Sequence, residues 1–244
     1  MNKSIKVAIV GQPNVGKSSI INSMGNASLH VGNFTGVTVE KKEVFLKRDL
    51  YDIKMTDLPG IYSLNAYTPE EQVAKNFLLH EEYDIILNVV DANTLSRNLI
   101  FTLQLLDMHK KTILVLNMID EVEKKSHFLN KESLETLLGI PVILTSAKEN
   151  RGVEEITTQI IALSKKELIK NKVFYDERIE QRIENLAKIL RKSPHFKDYD
   201  YSRFLAIRLL DRDESVYKMI HDMPIFIEAH NALEKMYKNL ENEL

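Results

Sequence analysis

The chain has 244 residues, 44% of them hydrophobic and 28% charged, with no cysteine and a formal net charge of -2. That mix excludes a disordered or collagen-like chain, a disulfide framework, thiolate metal sites, thiol catalysis and a global basic field for nucleic acid. The longest apolar runs, such as ILVLNMI, fall well short of the roughly 18 residues that cross a bilayer, and the amino terminus MNKSIKVAIVG enters a strand pattern with no cleavable small-residue site; the expectation is a soluble, intracellular chain.

In chain order, a first strand at Ile5–Val10 runs into Gly11-Gln12-Pro13-Asn14-Val15-Gly16-Lys17-Ser18-Ser19 and a helix over Lys17–Met24. Strands follow at Glu43–Lys47 and Ile53–Thr56, the second ending in Asp57-Leu58-Pro59-Gly60. A helix at Pro69–His80 leads to a strand at Ile85–Asp91, and a helix at Leu95–Met108 leads to a strand at Ile113–Asn117. The strand is continued by Met118-Ile119-Asp120. A helix at Lys131–Leu138, a strand at Val142–Thr145 ending in Thr145-Ser146-Ala147, and a helix at Val153–Lys170 complete the alternation. Runs such as IILNVV read as strands buried on both faces, which predicts an α/β fold with a mostly parallel, six-stranded sheet flanked by helices. Beyond Lys172 the pattern turns helical: Ile179, Ile183, Leu186, Ala187 and Leu190 share a face before Pro194, and Ala229, Leu233, Met236, Tyr237 and Leu240 share one after Pro224. The expected division is a P-loop domain over 1–170 and a small all-helical domain over 171–244.

Gly11, Gly16, Lys17 and Ser18 satisfy G-x-x-x-x-G-K-[ST] between a buried strand and a helix. In such a loop glycines admit phosphate close to the backbone, amides and the helix start donate to it, the lysine neutralises charge and the serine meets Mg2+. Companions of a GTP-binding switch follow. Asp57 is placed to hold Mg2+ through water and the Gly60 amide to meet a γ-phosphate. Asp120 is placed to read guanine, and the Thr145-Ser146-Ala147 amides to meet its carbonyl. Each segment alone is an ordinary polar strand end; together they line the carboxyl edge where open α/β sheets bind ligands.

The strings VGNFTGVTVEKKEV, DLPGIYSL and DANTLSRNLIFTLQLLDM resemble the amino-terminal cytosolic GTPase region of ferrous iron transport protein B, over most of residues 4 to 170. The resemblance implies GTP and GDP as ligands and slow GTP hydrolysis. It also implies a following helical domain that affects nucleotide release, like a guanine-nucleotide-dissociation inhibitor, and a membrane-spanning region that this chain lacks. It places the chain at the cytoplasmic face of the membrane, regulating Fe(II) uptake.

Where Ras-like enzymes carry a water-orienting glutamine, this chain has Ile61. The resemblance supplies another device, K+ beside the phosphates on Asn14; the competing reading is that Asn14 only tolerates a tight loop. It also assigns Thr38, in Gly36-Val37-Thr38-Val39, as the switch threonine that meets Mg2+ and γ-phosphate, in preference to the neighbouring Thr35. Segments Leu29–Val39 and Ile61–Tyr67 are expected to be mobile without nucleotide and ordered by GTP. The catalytic set is thus Asn14, Lys17, Thr38 and Gly60. Met118 replaces the usual lysine over the base, predicting guanine specificity with modest affinity and fast exchange.

The alternative is a soluble ribosome- or RNA-associated GTPase of the Era-like type. Residues 175–244 hold 12 Lys plus Arg against 14 Asp plus Glu, so a nucleic-acid footprint is missing. A homo-oligomer is compatible with the sequence. The seven histidines lack ligand spacing and read as surface or core residues, and Glu70-Glu71 and Glu81-Glu82 read as helix-end or solvated charges.

Overall fold

The computed structural model describes residues 3–24, 28–34, 37–167 and 173–241, which fall into two compact units, 3–167 and 173–241. Each is taken by itself. The expected helix beyond Glu167, and Thr35 and Gly36, lie outside the described residues.

The first unit holds β1 (Lys3–Val10), α1 (Lys17–Ser23), β2 (Ser28–Asn33), β3 (Glu40–Arg48), β4 (Tyr51–Asp57), α2 (Pro69–His80) and β5 (Ile85–Asp91). After a 3-10 turn at Ala92–Thr94 come α3 (Leu95–Leu106), β6 (Lys111–Asn117), α4 (Ile119–Lys124), α5 (Lys131–Leu138), β7 (Val142–Leu144) and α6 (Val153–Ser164). The strands form one sheet in the order β2-β3-β4-β1-β5-β6-β7, with β2 and β3 antiparallel and the rest parallel. Seven strands replace the expected six, because Ser28–Asn33, all but its first residue inside the expected switch segment Leu29–Val39, is an edge strand. All six of its residues are exposed, and no buried face extends the brief Leu29/Val31 alternation to the length by which strands are recognised. α4 was not foreseen either.

β5 and β6 are buried almost throughout and β1 from Val7 onward, as their continuous apolar runs require. Ile9, Ile20, Ile53, Ile85, Val115 and Ile156 lie in the core between this sheet and its helices. Register puts Ile9 beside Asp57, Asp91 beside Asn117 and Leu116 beside Leu144, so the parallel strands end at a common edge.

The second unit comprises α7 (Glu177–Leu190), a 3-10 turn at Pro194–Phe196, α8 (Tyr199–Leu210), α9 (Glu214–His221) and α10 (Phe226–Glu241). α7 ends at Leu190, before Pro194, which opens the 3-10 turn capped by Ser193. Two buried arginines bind the unit. Arg203 meets both carboxylate oxygens of Glu180 at 2.7 Å, and Arg208 donates to Asp213 at 3.1 Å while Asp213 caps α9. Among the described residues, no helix is long and apolar enough to cross a membrane.

Candidate functional site

The loop after β1 is shaped by positions that most side chains cannot occupy. Gly11 (φ 154°) abuts the Val89 carbonyl, and Gly16 (φ 91°) abuts the Asn117 carboxamide; a Cβ at either place would overlap its neighbour. Asn14 adopts φ 65°, a left-handed conformation that asparagine tolerates, and its side chain is exposed. The loop reading requires that backbone and the cation reading requires that exposure, so both survive. Pro13 is exposed, and Gln12 and Val15 are buried beneath it.

α1 begins at Gly16 without a side-chain cap, so its first-turn amides keep their donors. Lys17 Nζ donates to the Gly11 and Gln12 carbonyls, 3.1 Å each. Burial lowers its pKa, and the Asp57 carboxylate pulls it back up. Burial likewise raises the Asp57 pKa, against the pull of Lys17. Ser18 Oγ lies 3.5 Å from Asp57 Oδ2, and the buried Asp57 Oδ1 has no hydrogen-bond partner among the described residues. An orphaned carboxylate oxygen beside a hydroxyl is a donor set that suits a hard divalent cation. Ser19 is exposed on α1.

The segment after β4 docks onto this loop. Leu58 N donates to the Ile9 carbonyl at 3.0 Å, Ile61 N to the Gly11 carbonyl at 3.2 Å, and Gly60 lies against Pro13 with no room for a Cβ. Pro59 is partly buried between them. Ile61 is fully buried, so position 61 faces the core. Val37 and Thr38 are exposed at the tip of the β2–β3 hairpin. Among the described residues Thr38 makes no hydrogen bond to Ser18 or Asp57, so the structure does not gather it with them.

On the other side, Asn117 joins three segments. Its Nδ2 donates to the Val15 carbonyl at 3.0 Å, while its Oδ1 accepts from Thr145 Oγ1 at 3.2 Å and from the Ala147 amide at 3.1 Å. Met118 turns the chain at φ 66° into α4, whose second residue is the buried Asp120. The Ser146 hydroxyl, helped by Lys124 at 3.4 Å, holds the Asp120 carboxyl below the usual carboxylate range. Ser23 Oγ donates to the Ala147 carbonyl at 3.2 Å, tying α1 to the same loop.

Glu71, expected as a helix-end or solvated charge, is the helix-end one: it stands in the first turn of α2, and it is buried. Its carboxylate accepts from the amides of Tyr62 (3.1 Å), Tyr67 (2.8 Å) and Thr68 (3.2 Å), and the last contact completes a capping box. The T-x-x-E signature was visible in Thr68-Pro69-Glu70-Glu71; the grip on residues 62 and 67 was not. Gln104 of α3 adds a bond from Leu64 N at 2.9 Å. Glu70, Glu81 and Glu82 are exposed, as expected.

A family model described as ferrous iron transport protein B matches residues 5–160, and one described as the FeoB cytosolic helical domain matches residues 175–244. The chain is 51% identical over 164 residues to the Fe(2+) transporter FeoB of Helicobacter pylori, covering 66% of this chain and 26% of that protein. It spans about a quarter to a third of the length of the curated relatives it matches. Among solved structures it resembles the cytosolic domain of the T. maritima FeoB iron transporter in apo form, with a TM-score of 0.81 and 30% identity over 96% of this chain and 98% of that one. It also resembles a GDP-bound mutant of S. thermophilus NFeoB, with a TM-score of 0.85 and 33% identity over 97% of this chain and 90% of that one.

Proposed function

The chain belongs to the family of ferrous iron transport protein B, and from that premise we propose that it is the guanine-nucleotide-binding, GTP-hydrolysing cytosolic part of a ferrous iron transporter. The observation that carries this is the convergence at one sheet edge of the loop 11–19, Asp57 with Gly60, and Asn117 with Asp120 and Thr145–Ala147, the loop meeting Asp57 through Ser18 and the last group through the Asn117 side chain. A relative's structure holding GDP supports the same reading.

In this reading the backbone of Gly11–Ser19 cradles the phosphates, and Lys17 leaves the Gly11 and Gln12 carbonyls for phosphate oxygens. Its desolvated setting, with two neutral carbonyls as hydrogen-bond partners, favours that exchange, since an ammonium short of water gains most from an anion. Asp120 accepts the two donors of the guanine edge, and the Ala147 amide meets the guanine carbonyl. Ser18 and Asp57, with Thr38 once the hairpin tip approaches, are the residues that would hold Mg2+. Such an ion supplies positive charge at the phosphoryl oxygens.

With Ile61 in the core, no side chain at that position orients the attacking water. K+ at Asn14 would take the part an arginine finger plays elsewhere, stabilising charge on the breaking bond without moving a proton. The membrane-spanning part of the transporter is the partner, and residues 171–244 form the helical domain that tunes nucleotide release at the cytoplasmic face. The RNA-associated alternative draws no support from residues 175–244, which match the family's own helical domain.

Calorimetry of the folded chain with Mg2+ tests the reading: GDP binds in preference to ADP, and equal affinities would refute it.

A further inference from the structure

The run beginning Asp91-Ala92-Asn93-Thr94 carried family resemblance without a role in the nucleotide chemistry, yet its polar side chains fix the turn from both sides. Asp91 ends β5, and its Oδ1 accepts from both the Asn93 amide at 2.8 Å and the Asn93 side chain at 3.0 Å. Asn98, 1% exposed, donates through Nδ2 to the Thr94 carbonyl and hydroxyl, 2.8 Å each, closing the turn from the other side. Asn93 is thus held by Asp91 within a turn whose other end, Thr94, is fixed by Asn98. From there its carboxamide reaches α4: Nδ2 donates to Glu121 Oε2 at 3.2 Å, and Oδ1 accepts from Lys125 Nζ at 2.8 Å.

α4 needs such a tie. It has six residues and no side-chain N-cap, and it starts from Met118 at φ 66°. So short a helix does not hold its own direction in water. Glu121 and Lys125 stand one turn apart and present a single face to Asn93. Asp120 and Lys124 lie on the adjoining face, and Arg151 grips Glu123 from the far side at 2.7 Å.

We propose that Asn93 is a positioning residue for base recognition: through Glu121 and Lys125 it fixes the angle of α4 and so aims the Asp120 carboxylate at the guanine edge. The proposal rests on the guanine reading above. Its contacts are exposed and each is worth little for stability; their effect is on direction, where a carboxylate accepting two parallel donors tolerates little error.

The test compares GDP with inosine diphosphate, which lacks the 2-amino donor, on the purified 244-residue chain. Wild type discriminates between them because both carboxylate oxygens are engaged. Asn93→Ala, with circular dichroism and melting temperature close to wild type, is expected to weaken GDP roughly five- to tenfold and inosine diphosphate much less, narrowing the ratio. Lys125→Met, at an exposed side chain, gives part of that change and carries the test if Asn93→Ala does not fold. A wild-type GDP-to-IDP ratio in a folded variant overturns the proposal. Failure of wild type to prefer GDP over ADP overturns the guanine reading instead.

Discussion

The Asn117 carboxamide lies directly beneath Gly16, and its Nδ2 holds the Val15 carbonyl at 3.0 Å across 102 positions of sequence. With Thr145 and Ala147 on its other end, this one buried side chain makes the loop after β1 and the loop after β7 a single piece. Asn117→Ala would leave the Val15 carbonyl and the Ala147 amide without their side-chain partner. The expected cost is about 2–4 kcal/mol in a urea melt, together with lost GDP binding. An unchanged midpoint would show that neither group depends on Asn117.

Asn14 combines a left-handed backbone with an exposed side chain, so two substitutions separate its roles. GTP turnover should be faster in K+ than in Na+. Asn14→Gly keeps the backbone and removes the carboxamide; Asn14→Ala removes it and strains the turn by about 1 kcal/mol. If the carboxamide binds the ion, both variants lose the K+ advantage. If glycine keeps that advantage while alanine loses it, only the backbone matters.

Glu71 spends its carboxylate on the amides of Tyr62, Tyr67 and Thr68. Glu71→Ala removes these acceptors from a buried place, with an expected loss of about 2–3 kcal/mol. Hydrogen exchange at those three amides should rise well above that of β5, whose protection reports global opening. Uniform acceleration would mean that the segment opens only with the whole unit.

Much of this was legible because it is local. Gly11 and Gly16 stand where only glycine admits the turn, and IILNVV reads as a strand covered on both faces. β2 and α4 were not legible, for opposite reasons. β2 sits at the sheet edge with every residue exposed, so its alternation is only two apolar residues long, Leu29 and Val31, too short to mark a strand. α4 is too short for periodicity and is held by tertiary ties from Asn93 and Arg151. Glu71 shows a third case, in which the capping box was written in the sequence while its burial was decided by a loop folding over it.

Asp120 gives a pH prediction with a definite sign. Hydrogen bonding from Ser146 and attraction by Lys124 depress its folded-state pKa. Its contribution to stability is therefore fully present above the ordinary aspartate value of about 4 and is lost as pH falls through the folded value. Guanine affinity should stay flat from about pH 5 to 8, because the carboxylate is ionised throughout, and decline only below about pH 4. Titration calorimetry with GDP across that range checks it.

Ile61 makes the strongest claim about catalysis, because it rules out the simplest repair. The side chain is fully buried, while the backbone on either side is fixed: Ile61 N on the Gly11 carbonyl and Tyr62 N on Glu71. A glutamine placed there by Ile61→Gln would enter the core, not the phosphate side, and would bury an amide with no partner provided for it. The expected result is a loss of about 1–3 kcal/mol in stability with no gain in GTP turnover. A variant that hydrolyses GTP faster while remaining folded would show that position 61 swings outward during the reaction. Water would then be oriented by a side chain after all, and the case for a cation at Asn14 would lose its ground.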